Sequence, residues 1–140
     1  MMAATADMTM AQPIAMNHKI TVFRSPTCSC CGQWIEHMET AGFTVQDEVI
    51  PDVDAVKQRY GVPNDLASCH TAIAGNYIIE GHVPAEDVQR LLAETPAIAG
   101  IATPGMPVGS PGMESGNHID PYTVVAFTAN GQLSRFADHP

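Results

Sequence analysis

Four cysteines supply the most reactive side chains of this 140-residue chain, and three of them cluster in one short segment. Cys28, Cys30 and Cys31 lie within Pro26-Thr27-Cys28-Ser29-Cys30-Cys31-Gly32, whereas Cys69 stands alone further along the chain. Cys28 and Cys31 have the C-x-x-C spacing of thioredoxin-type redox sites and of one half of a zinc site. Cys30 adds nothing to a simple dithiol switch, but it would serve as a ligand for a soft metal ion.

The residues around these three cysteines predict a turn between a strand and a helix. An apolar run at residues 20–23 precedes the cysteines, and a helical pattern at residues 33–41 follows them. Unpaired N–H groups and the helix dipole at a helix N-terminus favour anionic sulfur. We therefore expect the clustered thiols to be reactive and able to bind a metal.

Several chemistries are open to the four thiols. A zinc site is one, although structural zinc sites usually take their ligands from two C-x-x-C pairs and Cys69 is single. A thiol–disulfide enzyme is another, with Cys28 as nucleophile and Cys31 as resolving thiol. Copper is the third, because Cu(I) requires only soft ligands. Buried thiols without a function are the simplest alternative, and the clustering disfavours it.

The charge of the thiolates favours several copper ions over one metal ion. Four thiolates carry four negative charges, and the chain already has a formal net charge of −9. A single Zn²⁺ or Cu(I) would leave two or three of these charges in a partly buried turn, whereas four Cu(I) ions would neutralise them. Adjacent Cys30 and Cys31 would also strain a site around one tetrahedral ion. The sequence therefore predicts a polynuclear Cu(I)–thiolate cluster.

Additional ligands are available beside Cys69 and in a later loop. His70 follows Cys69 directly, and it is interpreted either as a structural histidine or as a group in or next to the metal site. Met106 and Met113 stand in a repeated Pro-Gly-Met, which makes their thioethers candidate ligands, although methionine more often fills gaps in a core. The candidate metal ligands are therefore Cys28, Cys30, Cys31, Cys69, His70, Met106 and Met113.

Two other histidines receive structural interpretations. His37 falls on the outer face of the first predicted helix, and we expect it to face solvent. His82 precedes the third predicted helix, and we expect it to cap the turn there. Neither is included among the candidate metal ligands.

Composition argues against two classes of partner. Six Lys and Arg against 15 Asp and Glu disfavour binding to nucleic acid or to an anionic membrane surface. No run approaches the roughly 18 apolar residues of a membrane span. Residues 1–19 show no signal peptide and are predicted to be a flexible Met-rich leader, whose thioethers are an alternative means of collecting Cu(I). Residues 20–137 are predicted to form a single domain.

Hydrophobic periodicity and turn residues predict an α/β fold. The predicted order is β-α-β-α-β-β-α, followed by a long Pro/Gly loop and a C-terminal β-hairpin. This order matches a thioredoxin-like plan, with the cysteine turn after the first strand, where ligands bind in an α/β sheet. Beyond the first strand and helix, the main segments are a strand at 43–49, a helix at 52–60, a hairpin at 71–80, a helix from 84 and a hairpin at 122–136.

Two details of this prediction concern side-chain burial and the long loop. In the second helix, Val53, Val56 and Tyr60 are expected to face the core. Residues 96–121 are rich in proline and glycine, so neither a helix nor a regular strand is expected there. A long ordered loop in a compact domain is usually functional, and the part of it at residues 103–114, the Pro-Gly-Met loop, is expected to cover the cysteine turn.

Four motifs together resemble one family, that of the CopG-type periplasmic copper-resistance proteins, long catalogued as a domain of unknown function. The resemblance covers roughly residues 20 to 137. Its motifs are Cys28-Ser29-Cys30-Cys31-Gly32, Ser68-Cys69-His70-Thr71-Ala72, Glu80-Gly81-His82-Val83-Pro84-Ala85 and Pro104-Gly105-Met106-Pro107-Val108-Gly109-Ser110-Pro111-Gly112-Met113-Glu114.

The resemblance implies a thioredoxin-like fold and copper bound by the four cysteines. It also implies a periplasmic location, a role in copper tolerance that includes interconversion of Cu(I) and Cu(II), and other periplasmic copper-handling proteins as partners. Thioredoxins proper have a proline before the third strand, and Cys69-His70-Thr71 stands in that region here. This difference disfavours ordinary disulfide exchange. Whether the protein turns over as a copper or thiol oxidoreductase is left open.

Overall fold

The computed structural model describes residues 18–140, so most of the predicted leader, residues 1–17, lies outside the described residues. The described chain forms strands, α-helices and one short 3₁₀ helix at Asn64–Leu66. In chain order the elements are β1 (Lys19–Arg24), α1 (Ser29–Thr40), β2 (Thr44–Val49), α2 (Val53–Arg59), β3 (Thr71–Ala74), β4 (Tyr77–Gly81), α3 (Ala85–Glu94), β5 (Gly100–Thr103), β6 (Tyr122–Phe127) and β7 (Leu133–His139).

The strands form one sheet in the order β2-β1-β3-β4-β5-β6-β7. Strand β1 runs parallel to β2, and β4 runs parallel to β5, whereas the other neighbouring strands are antiparallel. The α/β prediction and the predicted order of the first seven elements are confirmed, as is the C-terminal hairpin formed by β6 and β7. In the described part of the chain, no helix is long and apolar enough to cross a membrane.

Strand β5 corrects the prediction for residues 96–121, where no regular strand was expected. It is buried along its whole length and joins the C-terminal hairpin to the rest of the sheet. The proline and glycine content of the segment disfavoured a strand, but the sheet itself requires Gly100. A Cβ at this position would lie 2.1 Å from the carbonyl oxygen of Ile78, so only glycine permits the close approach of β5 to β4.

Helix α1 packs its apolar face on the sheet at the predicted helical spacing. Its buried side chains are Cys31, Trp34, Ile35 and Met38, and the indole Nε1–H of Trp34 donates to the carbonyl oxygen of Val83 at 2.8 Å. The helix begins at Ser29, earlier than the predicted residue 33, because the cysteine segment itself forms the first turn. Cys28 is the N-cap residue, so the clustered thiols do lie at a helix N-terminus.

Helix α2 departs in part from the prediction that Val53, Val56 and Tyr60 face the core. Val53 and Val56 are half-buried, and Tyr60 follows the helix with 37% of its surface exposed. Lys57 is the only buried residue of α2. The apolar pattern did not predict the burial of Lys57, because its ammonium group pairs with a buried partner, the carboxylate of Glu80 on β4. A sequence pattern treats lysine as a surface residue, and only the tertiary pairing reverses this.

Candidate metal centre

The four cysteine sulfurs converge at the end of β1. Cys28 and Cys31 form a disulfide with a Cα–Cα distance of 5.4 Å, whereas Cys30 and Cys69 are free. The Sγ atom of Cys30 lies 3.6 Å from that of Cys28 and 3.7 Å from that of Cys69. All four sulfurs lie within 4.8 Å of one another. The arrangement suits disulfide chemistry in the oxidised form and a shared metal site after reduction.

The backbone around the first three cysteines is held by neighbouring polar groups. The N–H of Cys28 donates to the carbonyl oxygen of Ser25 at 3.3 Å, which closes the turn between β1 and α1. The guanidinium of Arg24 donates to the carbonyl oxygen of Cys28 and forms an ion pair with Asp47 at 2.7 Å. The first turn of α1 contains no acidic residue, so no carboxylate on this helix competes with anionic sulfur for its N-terminus.

Burial keeps the thiol of Cys69 protonated at neutral pH. Desolvation is the main cause that raises the pKa of Cys69 to about 11, and the nearby Cys30 adds to the shift. The sulfur of Cys69 lies 2.9 Å from the Nε2 atom of His82, within reach of an S–H donated to a neutral imidazole. A metal ion that binds Cys69 must therefore displace a proton.

His82 belongs to this site, contrary to the prediction that it caps the turn before the third helix. Its Nδ1–H donates to the carbonyl oxygen of Pro111 at 2.7 Å, which leaves the Nε2 lone pair directed at Cys69. Burial lowers the pKa of His82 and so favours the neutral ring. The signal was present in the sequence: β3 and β4 pair Thr71 with Glu80, and continuing that register places Cys69 opposite His82.

His70 is fully buried beneath the sulfurs. Its Nδ1 atom lies 3.5 Å from the sulfur of Cys69, and its ring lies between Trp34 and His82, with centroid distances of 4.5 and 5.0 Å. Its Nε2 atom has no hydrogen-bond partner among the described residues. Desolvation, with smaller effects from His82 and Lys57, holds the pKa of His70 well below its usual value. A neutral imidazole therefore stands beside Cys69, and its role as a ligand stays a prediction.

The Pro-Gly-Met loop lies against the cysteine turn. A Cβ at Gly112 would come within 2.9 Å of both the carbonyl oxygen of Cys30 and the Nδ1 atom of His82. The hydroxyl of Ser68 donates to the carbonyl oxygen of Gly105 at 2.9 Å, which holds the other end of the loop beside Cys69.

The two methionines of this loop differ in exposure. Met106 has 48% of its surface exposed, whereas Met113 is half-buried. Both occupy the loop that lies against the cysteine turn, so each remains within the region from which a ligand could come. Their assignment as copper ligands stays a prediction.

His37 does not face solvent as predicted. Its half-buried ring accepts a hydrogen bond at Nε2 from the backbone N–H of Ala85, at 3.0 Å, so it caps the N-terminus of α3. This is the kind of role that the sequence assigned to His82. Desolvation lowers the pKa of His37 despite the opposing charges of Glu114 and Glu86, and the neutral form can accept this bond.

Comparison with known proteins places the chain in a family. A family model described as "Protein of unknown function, DUF411" matches residues 66–113, which include Cys69, His70 and His82. Two solved structures named copper resistance protein CopG are similar over nearly their whole length. Form 2 has 48% identity and a TM-score of 0.85 and covers 89% of this chain and 99% of its own. The chain belongs to the CopG family.

Form 1 of CopG agrees, with 49% identity and a TM-score of 0.83 over 87% of this chain and 97% of its own. Among curated proteins, no sequence matches this chain. The family predicted from the four motifs is thus confirmed. As a CopG family member, the protein is related to copper resistance proteins, and its cysteine cluster has a geometry that could hold a metal ion.

The close contact at Gly112 generates a first prediction. We expect Gly112→Ala to lower the free energy of unfolding by about 1–3 kcal/mol, because the new Cβ would press on Cys30 and His82 and the backbone φ is +88°. We also expect iodoacetamide to label Cys30 faster as the loop moves away. The control is Gly116→Ala, where φ is +60° and a Cβ would meet nothing within 4 Å. Equal loss of stability in both variants in urea denaturation would contradict the contact.

The cap formed by His37 generates a second prediction. A folded-state pKa below the unfolded value means that His37 contributes stability that is complete above about pH 6.5 and is lost as the pH falls towards its folded pKa. His37→Gln keeps an acceptor that does not titrate. We therefore expect its unfolding free energy, from urea denaturation at several pH values, to fall less steeply with acid than that of the wild type. His70 and His82 titrate in both proteins, so their contribution to the pH dependence is the same in each. Identical slopes of unfolding free energy against pH would therefore contradict the cap.

Proposed function

We propose that this CopG family protein binds Cu(I) through its four cysteine thiolates and acts in copper resistance in the periplasm. The observation that carries the proposal is the convergence of four soft sulfur ligands within 4.8 Å of one another. Thiolates are soft ligands, and Cu(I) is one of the ions that they favour. The solved relatives named copper resistance protein CopG support copper as the cargo. The resemblance of the sequence motifs to periplasmic copper-resistance proteins supports the proposed location.

We further propose that the site holds several Cu(I) ions. Cys30 lies between Cys28 and Cys69 at 3.6 and 3.7 Å, a position from which one sulfur can bridge two coppers. These distances alone would also suit a single tetrahedral Zn²⁺ ion, whose sulfur ligands are separated by about 3.8 Å when Zn–S bonds are about 2.3 Å. Charge favours the cluster, because a single divalent ion leaves a net negative charge in a partly buried site.

The nitrogen donors beside Cys69 support a redox role. Imidazole binds both Cu(I) and Cu(II), whereas thiolate favours Cu(I). The Nδ1 atom of His70 lies 3.5 Å from the sulfur of Cys69, and the Nε2 atom of His82 lies 2.9 Å from it. We propose that these groups, together with Met106 or Met113, complete the coordination. Such a mixed ligand set would allow the protein to interconvert Cu(I) and Cu(II) by exchanging one electron per ion with a partner. We propose that this partner is another periplasmic copper-handling protein.

A second candidate function is thiol–disulfide exchange, and the Cys28–Cys31 disulfide favours it. Cys28 is partly exposed at the N-cap of α1, as an attacking thiol should be, whereas Cys31 is buried behind it and could resolve a mixed disulfide. This function gives no role to Cys30, Cys69 or the two buried imidazoles. It therefore accounts for less of the site than copper binding does.

The copper proposal predicts metal loss in single variants. We expect the reduced wild type, loaded anaerobically with Cu(I) and desalted, to retain about four ions per chain, since that number neutralises four thiolates. Cys28→Ser, Cys31→Ser and Cys69→Ser should each retain far less, as measured by elemental analysis. Ser29→Ala alters an exposed side chain in the same turn and serves as the control.

Two results would contradict parts of this prediction separately. Full copper retention in all three cysteine variants would contradict thiolate binding altogether. A clean one-to-one complex, without a short copper–copper distance in X-ray absorption, would exclude the cluster while leaving copper as the cargo.

The disulfide alternative predicts a different pattern. If Cys28 and Cys31 carry out exchange, then Cys30→Ser should leave insulin reduction by dithiothreitol unchanged, because Cys30 lies outside the reacting pair. Cys28→Ser should abolish it. The assay uses metal-free, reduced protein, and no turnover by the wild type would count decisively against this function.

A further inference from the structure

A buried ion pair lies directly behind the proposed copper site. The side chain of Lys57 on α2 is 8% exposed, and that of Glu80 on β4 is fully buried. Removing two charges from water is costly, and an apolar pair of similar volume often gives an equally stable or more stable protein. The retention of this pair in the core therefore calls for an explanation other than stability.

The carboxylate of Glu80 receives three hydrogen bonds. Its Oε2 atom accepts from the Nζ of Lys57 and, at 2.7 Å, from the backbone N–H of Ser68. Its Oε1 atom accepts from the hydroxyl of Thr71 at 2.6 Å, and that hydroxyl in turn accepts from Lys57 at 2.9 Å. The two oxygens of the carboxylate accept all three bonds, whereas an amide at this position would offer one acceptor oxygen and an NH2 donor.

These bonds bracket the segment that carries the ligands. Ser68 immediately precedes Cys69, and Thr71 immediately follows His70, so the same carboxylate holds the chain on both sides of them. The N–H of Gly81, the residue after Glu80, donates to the carbonyl oxygen of His70 at 3.1 Å. The backbone of residues 68–71 is thus fixed to one point on β4.

We propose that Glu80 is a positioning residue for Cys69 and His70, with Lys57 as its counter-ion. The pair sets the place of the single distant cysteine relative to the three cysteines of the turn. Its effect on copper rests on the proposed function, whereas its effect on the geometry of Cys69 does not. Groups that orient metal ligands from outside typically change metal affinity about 10–100-fold when removed.

Two variants test this role. Glu80→Gln keeps the size of the side chain but provides one acceptor for three donors. The double variant Lys57→Met/Glu80→Leu replaces the ion pair with apolar side chains of similar volume, so its fold can survive even if Glu80→Gln does not fold. The control is Asp87→Asn, which makes the corresponding carboxylate-to-amide change at another buried side chain, that of Asp87, whose partner His139 is half-buried.

The first measurement needs no copper. In the oxidised protein Cys28 and Cys31 are joined, so only Cys30 and Cys69 react with iodoacetamide, and Cys30 serves as an internal reference. We expect iodoacetamide to label Cys69, relative to Cys30, severalfold faster in both test variants than in the wild type, as measured by mass spectrometry. Asp87→Asn should match the wild type. An unchanged ratio in a folded double variant would overturn the positioning role.

The second measurement is Cu(I) affinity of the reduced proteins, by competition with a chelator. We expect the test variants to bind Cu(I) about 10–100-fold more weakly than the wild type, with unfolding free energies in urea reported alongside. A double variant of wild-type stability and wild-type copper affinity would contradict the proposal. If the wild type takes up no Cu(I), the proposed function fails, while the labelling ratio still decides whether Glu80 positions Cys69.

Discussion

The antiparallel pairing of β1 with β3 is the constraint on which the site depends. In an antiparallel pair the end of one strand lies beside the start of the other. The register of Phe23 with Thr71 therefore brings the turn that follows β1 next to the segment that precedes β3. Cys69, far from the other cysteines in sequence, reaches them only through this pairing. A shift by one residue would turn the alternate side chains of β3 to the opposite face of the sheet.

The rest of the site follows from elements attached to these two strands. The β3–β4 hairpin brings His82 opposite Cys69, and Glu80 lies two register positions closer to the turn of the hairpin, opposite Thr71. Strand β5 then runs alongside β4 and leads directly into the Pro-Gly-Met loop, so the loop starts at the edge of the site and returns over it at Gly112. Sulfur, imidazole and backbone thus come from four separate parts of the chain.

Local patterns predicted the parts of this structure that are locally determined. The cysteine turn, the order of the first seven elements and both hairpins follow from periodicity, turn residues and helix signals in short windows. The errors arose where a contact with a residue distant in sequence determines the secondary structure or the burial of a side chain. Strand β5 was missed because its close approach to Ile78 at Gly100 cannot be seen in sequence, and the burial of Lys57 was missed because its partner is on β4. The place of His82 could have been recovered, since continuing the register of the hairpin beyond Thr71 and Glu80 puts His82 opposite Cys69.

The disulfide and the proposed metal site are two states of one set of sulfurs. While Cys28 and Cys31 are joined, two of the four thiolates do not exist, so the oxidised site lacks half of its sulfur ligands. Two electrons and two protons are needed to restore both thiols, and metal binding then displaces the protons again. Cys30 and Cys69 stay free in the oxidised form, next to two neutral imidazoles. The redox state of one C-x-x-C pair would therefore set how much metal the site can hold, while the other ligands remain in place.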